Sequence, residues 1–185
     1  MNSVIYMGNI FFECYSLEEI PAISKWNLSN VITMANMFNG CTSLKSLPDI
    51  SQWNTKSLID IHGIFSGCSS LTSLPDITKW KANKISYIEN FISGCTSLIF
   101  LPDLSKWKIN TKCENDLKKE FSNLISSNKE NNSSSLNLSN INSSSSKSSD
   151  SENHQNNINY YSFNEFDFNN NYDENEDYYE NFYNI

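Results

Sequence analysis

CTSLKSLPDISQW, residues 41–53, returns as CSSLTSLPDITKW at 68–80 and as CTSLIFLPDLSKW at 95–107. The interval is fixed. Trp26, Trp53, Trp80 and Trp107 are 27 residues apart each time, and Cys14, Cys41, Cys68 and Cys95 keep the same step. So do Leu17, Leu44, Leu71 and Leu98, and Pro21, Pro48, Pro75 and Pro102. Four columns in one register mark a repeat protein, in which each copy is one structural unit.

Inside the unit 26–52, the apolar step from Val31 onward is mainly three. That is neither the two of a strand nor the 3.6 of a long helix, and it suits a chain that coils around a core with frequent bends. Met34, Met37, Phe38 and Cys41 fall at i, i+3, i+4 and i+7, the face of a helix of about two turns. Asn39-Gly40, and later Ser66-Gly67 and Ser93-Gly94, supply its stop signal. SLKSL then predicts a short extended segment limited by Pro48, which cannot donate to a ladder. Stacking of equivalent segments about 4.8 Å apart gives a parallel sheet. No unit can bury its apolar face alone, so neighbours must stack. The expected fold is a repeat solenoid of short parallel strands plus short helices and turns.

The unit W-N-x-x-x-[VLI]-x-x-[MI]-x-x-[MIF]-[FI]-x-G-C-x-S-L-x-x-L-P-D-[IL]-[ST]-x resembles the BspA-type leucine-rich repeats, in the form found in mycoplasma-type surface proteins. The resemblance covers roughly residues 4–110. It implies a leucine-rich-repeat-like solenoid used for binding and adhesion, often at cell surfaces. Departures are few. Ile92 stands where Phe38 and Phe65 stand, Lys81 where Asn27 and Asn54 stand, and Ala22 where Asp49 stands.

These patterns divide the chain. Residues 1–112 form the repeat array: a partial unit 1–25, units 26–52, 53–79 and 80–106, and the start of a further turn at 107–112. Met1 aligns with Leu28, so the first unit lacks its Trp. Either Val4, Met7 and Phe11 form a degenerate cap, or the array is the C-terminal end of a longer one; the missing polar cap favours the second. Residues 113–126 predict a capping helix, with Leu117, Phe121 and Leu124 on one face and Asp116 near the positive end of its dipole. Residues 127–158 are a Ser/Asn-rich linker too poor in apolar residues to offset ordering entropy, so disorder is expected. Residues 159–185 interleave ten aromatics with seven acids and no Lys. This tail is also expected to be disordered, and suits docking on basic, apolar grooves; A- and T-rich codon bias explains its composition equally well.

Composition excludes several function classes. The chain has 13 Lys and no Arg, a net charge of −8 and a pI near 4.7. It therefore lacks the usual bidentate reader of phosphate and guanine, and nucleic acid is not an expected partner. No run is long and apolar enough to span a bilayer. The first residues have no basic region before their apolar ones, so no secretory signal is evident. As written the chain stays where it is made, whereas the resemblance places it at a cell surface if a leader lies upstream.

Each repeated column has a structural reading. Cys14, Cys41, Cys68 and Cys95 lack the paired spacing of zinc sites and pack as small hydrophobes; Cys113, outside the column, is a candidate exposed, reactive thiol. Asp49, Asp76 and Asp103 follow proline at a bend and are expected to hold Asx-turns rather than calcium. Trp26, Trp53, Trp80 and Trp107, with Leu44, Leu71 and Leu98, form the structural ladder of the array.

The positions that vary between units carry the functional expectation. Lys45, Ser46, Thr72, Ser73, Ile99 and Phe100 occupy the two outward slots of SLxxLP, which in leucine-rich-repeat proteins face the partner. For the apolar pair Ile99 and Phe100, cover by the capping helix is the preferred reading. Of the two histidines, His62 fills a repeat slot and His154 lies in low-complexity sequence. No nucleophile has a base in a recognisable arrangement and no phosphate-binding loop exists, so no enzyme, cofactor or metal is expected. The leading reading is a monomeric protein-interaction or adhesion module for a protein or cell-surface ligand. The alternatives are an intracellular scaffold that binds through the acidic-aromatic tail, and a truncated fragment of a longer repeat protein.

Overall fold

A computed structural model of the chain describes residues 4–20 and 23–139. Pro21 and Ala22, and the segments 140–158 and 159–185 expected as linker and tail, lie outside them. Successive 27-residue units lie one over another and are joined by backbone hydrogen bonds of nearly constant reach. The N–H groups of Met34, Asn36, Phe38 and Gly40 donate to the carbonyls of Asp60, His62, Ile64 and Ser66, at 2.8–3.0 Å. One unit earlier, Met7, Asn9, Phe11 and Glu13 donate to Thr33, Ala35, Met37 and Asn39. One unit later, Ile61, Gly63, Phe65 and Gly67 donate to Tyr87, Glu89, Phe91 and Ser93.

This pattern replaces the short helices expected at 34–41 and its equivalents. The residues between the donors close three-residue turns, as Met37 N–H to Met34 O and Cys41 N–H to Phe38 O do at 3.1 Å. Two left-handed residues per unit explain why no helix forms. Asn9, Asn36, Gly63 and Asn90 have φ of 54–60°, and Glu13, Gly40, Gly67 and Gly94 have φ of 55–78°. A left-handed residue cannot propagate a right-handed helix, and Asn and Gly are the types that accept it most readily. Alternate N–H groups are thereby freed to point along the stack.

The extended segment also differs from expectation. SLxxLP contributes a single parallel bridge, Ser73 to Phe100. A ladder of three others joins Tyr6, Thr33, Asp60 and Tyr87, just before each left-handed turn. Among the described residues these remain isolated bridges: Pro75 and Pro102 follow closely on Ser73 and Phe100, and a left-handed turn follows each rung of the ladder.

The repeated side chains form continuous columns inside the stack. Trp26, Trp53, Trp80 and Trp107 lie with ring centroids 5.9–6.5 Å apart and planes within 18°. Each indole N–H of the last three donates to a carbonyl 30 residues earlier (Ile23, Ile50 and Ile77), which satisfies the one polar atom the burial would otherwise strand. Phe11, Phe38 and Phe65 stack in a second column. Where Ile92 breaks this column, Phe91 takes over and turns edge-on, at 81° to Phe65 and 78° to Trp107. Leu44, Leu71 and Leu98 are at most 1% exposed.

The helix α1, Thr111–Ser139, closes the C-terminal end of the stack. Cys113, Leu117, Phe121, Leu124 and Asn128 form its buried stripe. It runs thirteen residues past the expected boundary at 126, into the Ser/Asn-rich segment. Asn128 favours this extension by donating its side-chain amide to Leu98 O at 3.1 Å. Glu120 plays the part of a missing next turn: its carboxylate oxygens accept from Phe91 N–H at 3.1 Å and Ile92 N–H at 3.0 Å. Burial pushes this carboxyl above its ordinary range despite those donors. Cys113 is a correction to the sequence reading. It is 1% exposed and packs beneath the helix, and burial pushes its thiol up to about 11, so it is neither exposed nor reactive.

Candidate functional site

The bridge ladder lines a groove of about 440 Å³ on the side of the stack. Tyr6 and Tyr87 stand at its two ends, with Thr33 and Asp60 as the rungs between them. Small residues at the neighbouring column, Gly8 and Ala35, keep the groove open, and His62 occupies the next place in that column. Ile32 and Ile59 supply the apolar wall.

The polar groups of this groove are held in one chain of hydrogen bonds. The Asn39 amide donates to Asn36 Oδ1 at 2.9 Å, which leaves the Asn36 amide N–H to donate to His62 Nε2 at 3.1 Å. His62 Nδ1–H then donates to Asp60 Oδ1 at 2.8 Å. The same oxygen accepts His62 N–H at 3.0 Å, and Thr33 Oγ1 donates to Asp60 Oδ2 at 3.3 Å. With the Asn36 amide N–H as donor, His62 Nε2 is the acceptor and Nδ1 carries the hydrogen that meets Asp60. Gly63 makes it possible. A Cβ there would lie 2.2 Å from Asn36 Oδ1, so glycine gives the Asn36 side chain the room to reach His62.

The sequence-derived partner face lies elsewhere. Lys45, Ser46, Thr72, Ser73, Ile99 and Phe100 are all exposed. Lys45 pairs with Glu18 at 2.7 Å, between two well-exposed side chains. Ile99 and Phe100 are 39% and 56% exposed, so α1 does not cover them, contrary to the capping expectation. Helix α1 seals the end of the stack and leaves this side open.

Cys41, Cys68 and Cys95 are buried free thiols whose S–H groups donate to Phe11, Phe38 and Phe65 carbonyls at 3.0–3.2 Å. Cys14, in the first unit, is half-buried. Asp49, Asp76 and Asp103 each accept the N–H two residues on, from Ser51, Thr78 and Ser105. Hydrogen bonds from those residues hold all three carboxyls below their ordinary range. Among the described residues no group of three or more His, Cys, Asp or Glu is placed to hold a metal ion.

Sequence reasoning missed the groove. Its rungs read Tyr, Thr, Asp, Tyr, a column without a consensus, and His62 meets Asn36 only across the stack. The 27-residue register was the available signal, because it places residues 6, 33, 60 and 87 side by side.

Among the described residues no helix is long and apolar enough to cross a membrane. No curated protein and no solved structure matches the chain. A family model does: the family described as "Mycoplasma protein of unknown function, DUF285" matches residues 5–134 and 46–161, and the chain belongs to that family.

Proposed function

We propose that the chain is a non-enzymatic interaction or adhesion module, a leucine-rich-repeat-like solenoid of the BspA type that captures a protein or cell-surface ligand. The observation that carries this reading is the groove between Tyr6 and Tyr87. There an invariant frame presents side chains that differ from unit to unit, and a fixed hydrogen-bond chain holds Asp60 and His62 in place. Aromatic rims beside preorganised polar groups suit a recognition surface, since polar groups already held in place lose little freedom on binding.

The same geometry argues against catalysis. Both ring nitrogens of His62 are engaged, one by Asp60 and the other by Asn36. The nearby hydroxyl, Thr33 Oγ1, donates to Asp60 and not to the imidazole. A general base needs a free nitrogen within reach of the proton it removes.

The test is binding to an array of peptides and glycans by three chains: the full sequence, the Tyr87→Ala variant, and a chain ending at Ser139. Equal binding by the first and third, with about a tenfold loss for Tyr87→Ala, is expected for an aromatic anchor. Binding that survives Tyr87→Ala and disappears with residues 140–185 would transfer the function to the acidic-aromatic tail.

A further inference from the structure

The groove holds a full negative charge that its own lining does not balance. Of the side chains that line it, Asp60 is a carboxylate and none is a lysine. His62 adds no positive charge while its Nε2 accepts from Asn36. Among the described residues no lysine lies within ion-pair distance of Asp60. The residue is 8% exposed, so solvent ions screen its charge weakly.

The two oxygens of this carboxylate are unequally engaged. Oδ1 accepts twice, from the backbone N–H of His62 at 3.0 Å and from its Nδ1–H at 2.8 Å. Oδ2 accepts once, from Thr33 Oγ1 at 3.3 Å, which is long for a hydroxyl on a carboxylate. Each carboxylate oxygen has room for about two donors, so Oδ2 keeps an open acceptor position. Tyr87 is the next rung, about 4.8 Å further along the ladder. An aromatic face attracts a cation within about 6 Å. Ile32 and Ile59 form an apolar wall beside the rungs, against which an aliphatic stem packs.

We propose that the groove is a lysine pocket. It takes the lysine side chain of a partner polypeptide, with the ammonium on Asp60 Oδ2 beside Tyr87 and the methylenes along Ile32 and Ile59. The inference rests on the reading of the groove as a recognition site and adds what it recognises. Charge complementarity selects the occupant. An acidic segment is repelled, which excludes residues 159–185 of this chain, with seven acids and no Lys. Arginine fits less well. Its planar fork needs two open oxygens to bind through both arms, and His62 already fills Oδ1. A compact ammonium needs one strong acceptor, and Oδ2 supplies it.

The probes are peptides of the form acetyl-Ser-Gly-X-Gly-Ser-amide, with X as lysine, arginine, norleucine or Nε-acetyl-lysine. Each is titrated into the full chain and followed by the NMR shifts of Tyr87 and His62. Saturable shifts are expected with lysine, about tenfold weaker binding with arginine, and no shifts with the two uncharged peptides. Asp60→Asn keeps an Oδ1 acceptor for His62 and removes the charge. Lysine binding should then fall at least about tenfold, with the melting temperature near that of the parent. The peptide series needs no variant, so it decides the matter even where Asp60→Asn does not fold. Equal shifts from norleucine or Nε-acetyl-lysine, lost in Tyr87→Ala, would overturn the lysine pocket and leave the groove a recognition site. Lysine binding that Asp60→Asn leaves unchanged would place the cation elsewhere and also overturn it. No shift at Tyr87 or His62 from any of the peptides overturns it as well, while the peptide and glycan array still judges the broader reading on its own.

Discussion

Gly67 shows how much the stack asks of single residues. Its φ is +70°, and a Cβ added there would lie 3.3–3.4 Å from the backbone of Gly40 in the unit below. The left-handed conformation alone costs a non-glycine residue about 1–2 kcal/mol. Gly67→Ala is therefore expected to lower unfolding free energy by at least about 1 kcal/mol, read by urea denaturation. Ser66→Ala, next to it and half-buried, serves as the near-neutral control. The buried thiols make a prediction about pH. Burial pushes Cys41 up to about 11 and Cys95 up to about 12 from an ordinary 9.0. Below pH 9 folded and unfolded chains both keep these protons, and the contribution to stability is complete. As pH rises past 9 the unfolded chain ionises first, the native state holds more protons, and stability falls until the folded thiols ionise as well. The melting temperature should decline between pH 9 and 12, and less steeply in Cys95→Ala. Equal slopes would remove the thiols from the account. At neutral pH an alkylating reagent should reach half-buried Cys14 first and the other four cysteines only on unfolding.

Helix α1 was half legible in the sequence, and the missing half has a physical reason. Leu117, Phe121 and Leu124 repeat at helical spacing, so an apolar face is visible without a structure. Glu120 is invisible by the same logic, because an acid on a helix ordinarily faces water. It is half-buried here since the last turn leaves N–H groups that need an acceptor. Glu120→Ala strands those donors and is expected to cost about 1–3 kcal/mol. Glu120→Gln keeps an acceptor oxygen and the neutral form that burial favours, so its cost should stay within about 1 kcal/mol. Comparable losses for the two variants in chemical denaturation would mean that the carboxylate does not cap the stack. The turns at 34–41 were misread for another reason. Apolar residues at i, i+3, i+4 and i+7 describe both a helix and a run of three-residue turns, and the left-handed Asn36 decides between them.

Across the whole molecule, columns with a consensus were legible and columns without one were not. Trp, Cys, Leu and Asp recur at 27 residues, and each has its place in the stack. The groove escaped notice because recognition surfaces vary where scaffolds repeat, so Tyr6, Thr33, Asp60 and Tyr87 carry no shared pattern. Their alignment follows only once the register is applied to every position. A stack joined unit to unit should also lose stability at its middle: Leu71→Ala, fully buried, is expected to cost about 2–5 kcal/mol. A cost below about 1 kcal/mol in denaturant titration would contradict the close packing of that turn. The central claim is that backbone hydrogen bonds run between units and not within helices. Through-hydrogen-bond NMR couplings test it most directly. The account predicts couplings from the amide nitrogens of Asn36, Phe38 and Gly40 to the carbonyl carbons of His62, Ile64 and Ser66. Couplings from Phe38 to Met34 and from Gly40 to Asn36, the four-residue step of an α-helix, would contradict it.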